Sequence, residues 1–231
     1  MTPVPATPKA SAFATVIEDL GSRICQGAIP AGSVLTVEAL ERETGASRSV
    51  VRESVRVLAS KGLLRPRQRV GLEVLGESDW RLFDPQVIRW KLESPQRQRQ
   101  VDELRELRMA IEPDAARLAA QNSSPERAGE ILSAAGELWS AAIGGDHEDF
   151  LESDARFHRL VLRASGNTMF FHLSEVISEA LRQRTLHELR QHSISLEEVQ
   201  LHVDLAGFIQ RRNGDEAWNT MRDIVSRTGA R

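Results

Sequence analysis

From Ala12 to Gln26 the apolar residues Val16, Leu20, Ile24 and Cys25 recur at helical spacing, and Gly27 stops the pattern. A second, shorter helix is predicted from about Val37 to Thr44, capped by Thr36 and broken by Gly45. A third starts after Ser47, which has the chemistry of a cap, and ends near Lys61-Gly62. On it Val51, Val55 and Leu58 fall at i, i+4 and i+7, the spacing of a buried stripe. Arg48, Arg52 and Arg56 are four residues apart as well, so they stack along another face of the same helix. Leu63-Leu64 and Leu72-Glu73-Val74 flank the basic segment Arg65–Gly71 as two short strands flank a hairpin. Three helices and a hairpin in about 65 residues predict a winged helix-turn-helix.

From Asp79 onward the strand signals disappear. Trp80 to Glu93 reads as helix, broken by Ser94-Pro95, and Val101 to Gln121 follows with Leu104, Leu107, Ile111, Ala115 and Leu118 as its stripe. Ser124-Pro125 opens the next helix, to Ile143, and further helices fit His147–Ala164 and Met169–Gln191. Ser195 and Glu198 have capping-box spacing, and Asn213-Gly214 separates that helix from a last one ending near Arg227. The expected fold is mainly α. A flexible arm (1–11) precedes a winged helix-turn-helix (12–76) and an all-helical bundle of six or seven helices (79–231).

Composition changes this picture little; charge changes it more. With 41% apolar and 27% charged residues the chain has the make-up of a globular protein. No apolar run approaches the ~18 residues of a membrane span, and the Pro-rich start lacks the apolar core of a secretory signal. The single cysteine, Cys25, excludes an internal disulfide and reads as a small buried hydrophobe in a cytoplasmic protein. Residues 1–76 carry 10 Lys/Arg against 7 Asp/Glu, a net of +3, whereas the remainder carries 20 against 26, a net of −6. Eight basic and two acidic residues lie between Arg42 and Arg69, the electrostatic footprint of a polyanion partner.

Two constellations in the helical half bear on chemistry. Asp154 and His158 are i, i+4 neighbours, a spacing that holds a divalent metal and equally suits a surface ion pair. Arg108 lies between Leu107 and Ile111, where a guanidinium fork suits a carboxylate ligand or pairs with Glu112 one turn on. His147, His172, His187 and His192 read as surface residues, and Trp139 and Trp218 as anchors of a core or a dimer interface. There is no His-Glu-x-x-His, Cys-x-x-Cys, nucleophile elbow or phosphate loop.

The N-terminal motifs resemble a known family. Gly27…Pro30-Ala-Gly-Ser33-Val-Leu35, Ala46-Ser-Arg-Ser-Val-Val-Arg-Glu-Ser54 and Leu58…Lys61-Gly-Leu63 look like the DNA-binding domain of GntR-type bacterial regulators. Glu106-Leu-Arg-Met-Ala-Ile-Glu112, Asp154-Ala-Arg-Phe-His158, Ser165-Gly-Asn167 and His202 resemble the ligand-sensing domain of its FadR-like branch. Trp80…Asp84-Pro-Gln-Val-Ile-Arg-Trp90 is similar to the subgroup that represses operons for galactonate and related sugar acids.

That resemblance implies a homodimeric repressor in which Arg48 and Arg52 meet bases or phosphates of operator DNA. Ser47 and Ser49 would bond phosphates, Arg56 would lie on the same basic face, and Arg67 and Arg69 would serve the wing. The family's wing carries two glycines, and only Gly71 stands here. Glu38 replaces a basic DNA contact of some relatives, and Glu53 is expected to orient an arginine. Arg108, Asn167 and Arg182 become effector-binding candidates for a small carboxylate or sugar acid. Asp154, His158 and His202 become ligands for a divalent metal such as zinc or nickel, the family's fourth ligand position being Ile224. Without a metal, the Asp-His pair would line a polar cavity. The alternative function is a metal-dependent enzyme with a DNA-binding appendage.

Overall fold

The computed structural model describes residues 11–189 and 194–227, the side chains of 183–189 excepted. Residues 1–10 of the arm and His192 thus lie outside the described residues, as does the side chain of His187. The chain divides after Gln96 into two compact units.

In the first unit, α1 (Ala12–Cys25) and α3 (Arg48–Ser60) pack together, with α2 (Val37–Thr44) against α3. Thr36 Oγ1 accepts from the Ala39 amide at 3.1 Å to cap α2, and Gly45 ends it in the left-handed conformation. Ser47 occupies the cap position of α3 through its backbone, while its hydroxyl makes no capping bond, contrary to expectation. The hairpin is β2 (Leu64–Arg67) and β3 (Gly71–Val74). A strand not foreseen, β1 (Val34–Leu35), completes an antiparallel sheet in the order β1-β3-β2. Its approach explains Gly71: at φ +130° a Cβ there would stand 2.5 Å from the Leu35 carbonyl oxygen. Arg69 takes φ 62° at the wing tip, a conformation in which glycine is more at ease.

The helix expected over Trp80–Glu93 is shorter, because Asp84 and Pro85 form a start signal inside it. Asp84 Oδ1 accepts from the amides of Gln86 (3.0 Å) and Val87 (3.4 Å), and α4 spans Pro85–Leu92. This helix packs on α1 rather than joining the helical bundle, so the compact N-terminal unit runs past the boundary placed at 79. Trp90 is buried against Gly21, where a Cβ would lie 2.4 Å from the indole. Glu18 accepts from Trp90 Nε1 at 2.8 Å, Arg89 Nη2 at 2.6 Å and Gln86 Nε2 at 3.0 Å, clamping α4 to α1. Cys25 is in this core, as expected, and burial pushes its thiol up to about 12, which keeps it unreactive.

The second unit is all-helical among its described residues. It comprises α5 (Arg97–Asn122), α6 (Pro125–Gly144), α7 (His147–Ala164), α8 (Thr168–His172), α9 (Ser174–Leu189), α10 (Leu196–Gln210) and α11 (Gly214–Arg227). The helix expected over Met169–Gln191 is split, with Leu173 between α8 and α9. Ser124 and Ser195 cap α6 and α10 as their sequences imply. Small residues let the helices approach: Ala116, Ala119, Ala120, Ala134, Ala135, Ala206 and Ala217 share one core with Phe157, Ile131 and Met221. The buried register of α5 is Leu104, Arg108, Glu112, Ala115, Ala116 and Ala119. Leu107, Ile111 and Leu118, expected inward, are only half-buried. That rotation carries an arginine and a glutamate into the interior. Trp139 and Trp218 are half-buried, and neither belongs to the core. Among the described residues no helix is long and apolar enough to cross a membrane.

Candidate functional site

The first candidate site is the exposed face of α3 and the hairpin. Burying Val51, Val55 and Leu58 turns Arg48, Ser49, Arg52 and Arg56 out to water, and Ser47 is exposed at the start of the helix. Arg65, Arg67 and Arg69 are exposed on the hairpin. Several of these cations have carboxylate partners. Arg48 Nη2 meets Glu38 Oε1 at 2.9 Å, Arg56 Nη1 meets Glu53 at 2.5 Å, and Glu73 draws in Arg65 at 3.1 Å and Arg67 at 3.5 Å. Glu53 therefore holds an arginine, and Glu38 is the partner of Arg48. A guanidinium row above the N-terminus of a helix suits both phosphates and the O6/N7 edge of guanine.

The second candidate site is buried. On α7 the i, i+4 spacing sets Asp154 beside His158, and α10 brings in His202. One ligand-type atom of each lies within 4.8 Å of the others. His202 Nε2 is 3.3 Å and His158 Nε2 is 3.6 Å from Asp154 Oδ1. Neither Nε2 has a geometrically formed hydrogen bond, although His202 Nε2 stands close enough to Asp154 for a strong electrostatic contact. The other ring nitrogens are occupied. His202 Nδ1 lies 2.9 Å from the Glu198 carbonyl, and His158 Nδ1 contacts Glu112 Oε2. Phe157 packs edge-on against both rings, at 5.8 Å and 5.1 Å between centroids.

The electrostatics follow from this packing. Burial works to raise the Asp154 pKa, but the His202 contact and the positive charge of His158, His202 and Arg108 outweigh it and hold the carboxyl well below its usual range. Glu112 is likewise held down to about 2, with burial opposed mainly by Arg108 and His158. When the imidazoles are neutral with protons on Nδ1, two lone pairs and a carboxylate oxygen converge. In that state three acceptors face one another, an arrangement able to hold a cation; protonated rings would instead pair directly with the carboxylate. The donor set, two imidazoles and one carboxylate with their outer partners fixed, suits zinc or a related divalent ion.

Arg108 is 3% exposed, with Nε on Glu112 at 2.5 Å, while its Nη2 is buried without a hydrogen-bond partner. The other effector candidates have local duties. Asn167 Oδ1 caps α8, accepting from Met169 and Phe170, and Arg182 lies 3.4 Å from Glu152 and 3.7 Å from Glu179. Ile224, which the resemblance puts at a fourth ligand position, is packed in the apolar core. Glu112, expected as a partner for Arg108 and as the end of the Glu106–Glu112 motif, is also a member of this site through His158. Its signal was register: both residues share a helical face with Leu104 and Ala115.

A winged helix with a basic recognition face, followed by a helical unit with a buried polar cluster, defines a DNA-binding transcriptional regulator. Comparison with known proteins gives the family. Residues 13–74 match the bacterial regulatory proteins of the gntR family, and residues 103–227 match the FCD domain. The chain belongs to the GntR family, in its FCD-containing form. It is 32% identical over 206 residues to the galactonate operon transcriptional repressor of Escherichia coli, covering 87% of this chain and 88% of that one. It is 29% identical over 157 residues to the gluconate operon transcriptional repressor of Bacillus subtilis, covering 68% and 56% respectively. Among solved structures, the fold is similar to that of Lar, which controls expression of the Listeria monocytogenes agr system. The TM-score is 0.63 at 14% identity, with 97% of each chain covered.

Proposed function

We propose that this chain is a homodimeric repressor of an operon for breakdown of a sugar acid or related organic acid, released from its operator by that acid. The observation that carries the reading is the buried convergence of His158 Nε2, His202 Nε2 and Asp154, linked through Glu112 to Arg108, whose Nη2 is also buried without a hydrogen-bond partner. Interiors leave such groups unsatisfied rarely, and a carboxylate ligand with a cation would satisfy them together. Asp154, His158 and His202 would hold the divalent cation, zinc or nickel by donor chemistry. Once bound, it supplies a Lewis-acidic site for carboxylate and hydroxyl oxygens. Arg108 would take the acid's carboxylate through Nη2 while Nε stays on Glu112. The galactonate and gluconate repressors among its relatives favour an aldonate-type acid for this chain.

At the other end Arg48 and Arg52 would read bases or phosphates of an operator half-site in the cytoplasm. Ser47, Ser49, Arg56, Arg67 and Arg69 would grip the backbone. Dimerisation through the helical unit would mirror a two-fold operator. Leu132, Trp139 and Ile143, spaced seven and four residues apart on a face of α6 that flanks its core stripe, support that interface. A coupling of about 1–3 kcal/mol between acid and operator would change affinity roughly 5–150-fold.

The test combines thermal shift of the full chain, against galactonate, gluconate and simple dicarboxylates with and without zinc or nickel, with release from operator DNA obtained by in vitro selection. One acid should raise the melting temperature, release DNA at the same concentration, and be recovered unchanged. Consumption of the acid would instead make the protein a metal-dependent enzyme. If no acid stabilises it, the sensor reading falls.

A further inference from the structure

The two histidines of the cluster are held in different ways. His202 reaches a carbonyl of its own helix, Glu198 O at 2.9 Å, a partner one turn back that helical geometry supplies. His158 is held from another helix: its Nδ1 meets Glu112 Oε2, across 46 positions of sequence. Glu112 and the His158 ring are each 1% exposed, and Arg108 Nε holds the second Glu112 oxygen at 2.5 Å. Arg108 alone would account for a buried glutamate. It does not account for the second oxygen being turned onto an imidazole.

A carboxylate only accepts hydrogen bonds, so a proton shared with it by a neutral imidazole resides on Nδ1. The Nε2 of that ring then carries a lone pair, and it is this atom that is buried, without a hydrogen bond, 3.6 Å from Asp154 Oδ1. We infer that Glu112 is a positioning residue for the cluster: it fixes the tautomer and orientation of His158 so that Nε2 faces Asp154 and His202 as a ligand atom. Arg108 fixes Glu112 in turn, which joins the candidate carboxylate subsite to the candidate metal subsite through one side chain. The part concerning tautomer stands on geometry alone, whereas the part concerning metal affinity rests on the function proposed above.

The test uses the full chain, metal-free, at a pH where the ring is neutral. Removing Glu112 alone would strand the Arg108 charge and risk the fold, so the acceptor is deleted as a pair, Arg108→Met with Glu112→Leu, matched in bulk. Glu112→Gln, introduced on the same Arg108→Met background so that no charge is stranded, keeps a carbonyl oxygen able to accept from Nδ1 and is the conservative rescue. Long-range 15N–1H correlation spectra report which nitrogen of His158 is protonated. The parent and the rescue are expected to show the proton on Nδ1, and the paired variant to lose that preference. Zinc titration against a chelating dye should then find the paired variant about 10–100-fold weaker than the parent, with the rescue in between. A proton on Nε2 in the parent, or a paired variant that keeps both tautomer and affinity, overturns the inference. If the parent binds no zinc but its tautomer still depends on Glu112, the positioning role stands and the metal reading falls.

Discussion

Two arginine–glutamate pairs invite comparison. In the winged helix Arg48 meets Glu38 at 2.9 Å with both side chains 60% exposed; in the helical bundle Arg108 meets Glu112 at 2.5 Å with exposures of 4% and 1%. The chemistry is the same and the surroundings reverse its meaning. In water the pair is worth little, about 0.2–1 kcal/mol, and either partner is available to something else. An incoming DNA phosphate or base would compete with Glu38 on nearly equal terms. In the interior each charge depends on the other, because neither has water to return to. The exposed pair thus suits a surface that must exchange partners, the buried one a frame that must hold histidines still.

The comparison breaks most sharply on Arg108. Arg108→Ala leaves Glu112 charged and buried beside His158, and the helical unit should lose about 3–5 kcal/mol. Chemical denaturation followed by circular dichroism reads this, with the helical unit's transition shifted and the winged helix's transition in place. The paired Arg108→Met, Glu112→Leu replacement should recover most of the loss. Equal destabilisation by single and paired variants would show that the cost lies in packing rather than in charge.

Next in size is Arg52, exposed on α3 with no ion-pair partner among the described residues. Arg52→Ala should cost about 1–3 kcal/mol of specific operator binding, if the fork spans a guanine, and leave the melting temperature unchanged. Arg67→Ala should weaken all sequences more evenly and lower the salt slope. Gel shifts over a salt series separate the two. Full affinity in an Arg48/Arg52 double variant would end the assignment of this face.

Ile224→His cuts the other way. A metal-free imidazole in the apolar core that Ile224 shares with Phe157 and Met221 should cost about 1–3 kcal/mol of stability. If position 224 faces the cluster, zinc should bind more tightly than to the parent and restore that stability. Calorimetry with and without zinc checks both signs. A variant that is destabilised and binds no better shows that the corner is not part of the site.

How far these sites were legible follows from the same contrast. The basic face was readable because arginines at four-residue spacing with valines between them can satisfy only one orientation of α3. Asp154, His158 and His202 were readable through family spacing, since helical periodicity alone left a surface pair equally open. The role of Glu112 was not readable, because the stripe on α5 was assigned by apolar content. The leucines at 107 and 118 and Ile111 outweighed Arg108 in that reckoning. Tertiary packing chose the alanine-bearing face instead, since small side chains let α11 approach. Boundaries failed where one residue decides: Asp84 and Pro85 started α4 late, and its indole at Trp90 had a seat against Gly21 that no periodicity reveals.

The smallest effect is expected at Glu38, and it probes the other half of the comparison. The carboxylate lies on the first turn of α2, where it also favours the helix dipole, and its ion pair with Arg48 is exposed. Glu38→Gln should therefore change stability by under about 1 kcal/mol. Its effect on DNA has a definite sign. Removing a negative charge beside Arg48 frees that cation for phosphate, so binding to every sequence should strengthen at low salt. The slope of log affinity against log salt should steepen by up to about 0.9 for one further phosphate neutralised. Discrimination between operator and unrelated DNA should stay about the same, because the gain is shared by all sequences. An unchanged slope would show that Glu38 does not restrain Arg48 in the free protein. A loss of affinity would mean that the carboxylate itself contacts DNA, as it would by accepting from a cytosine amino group.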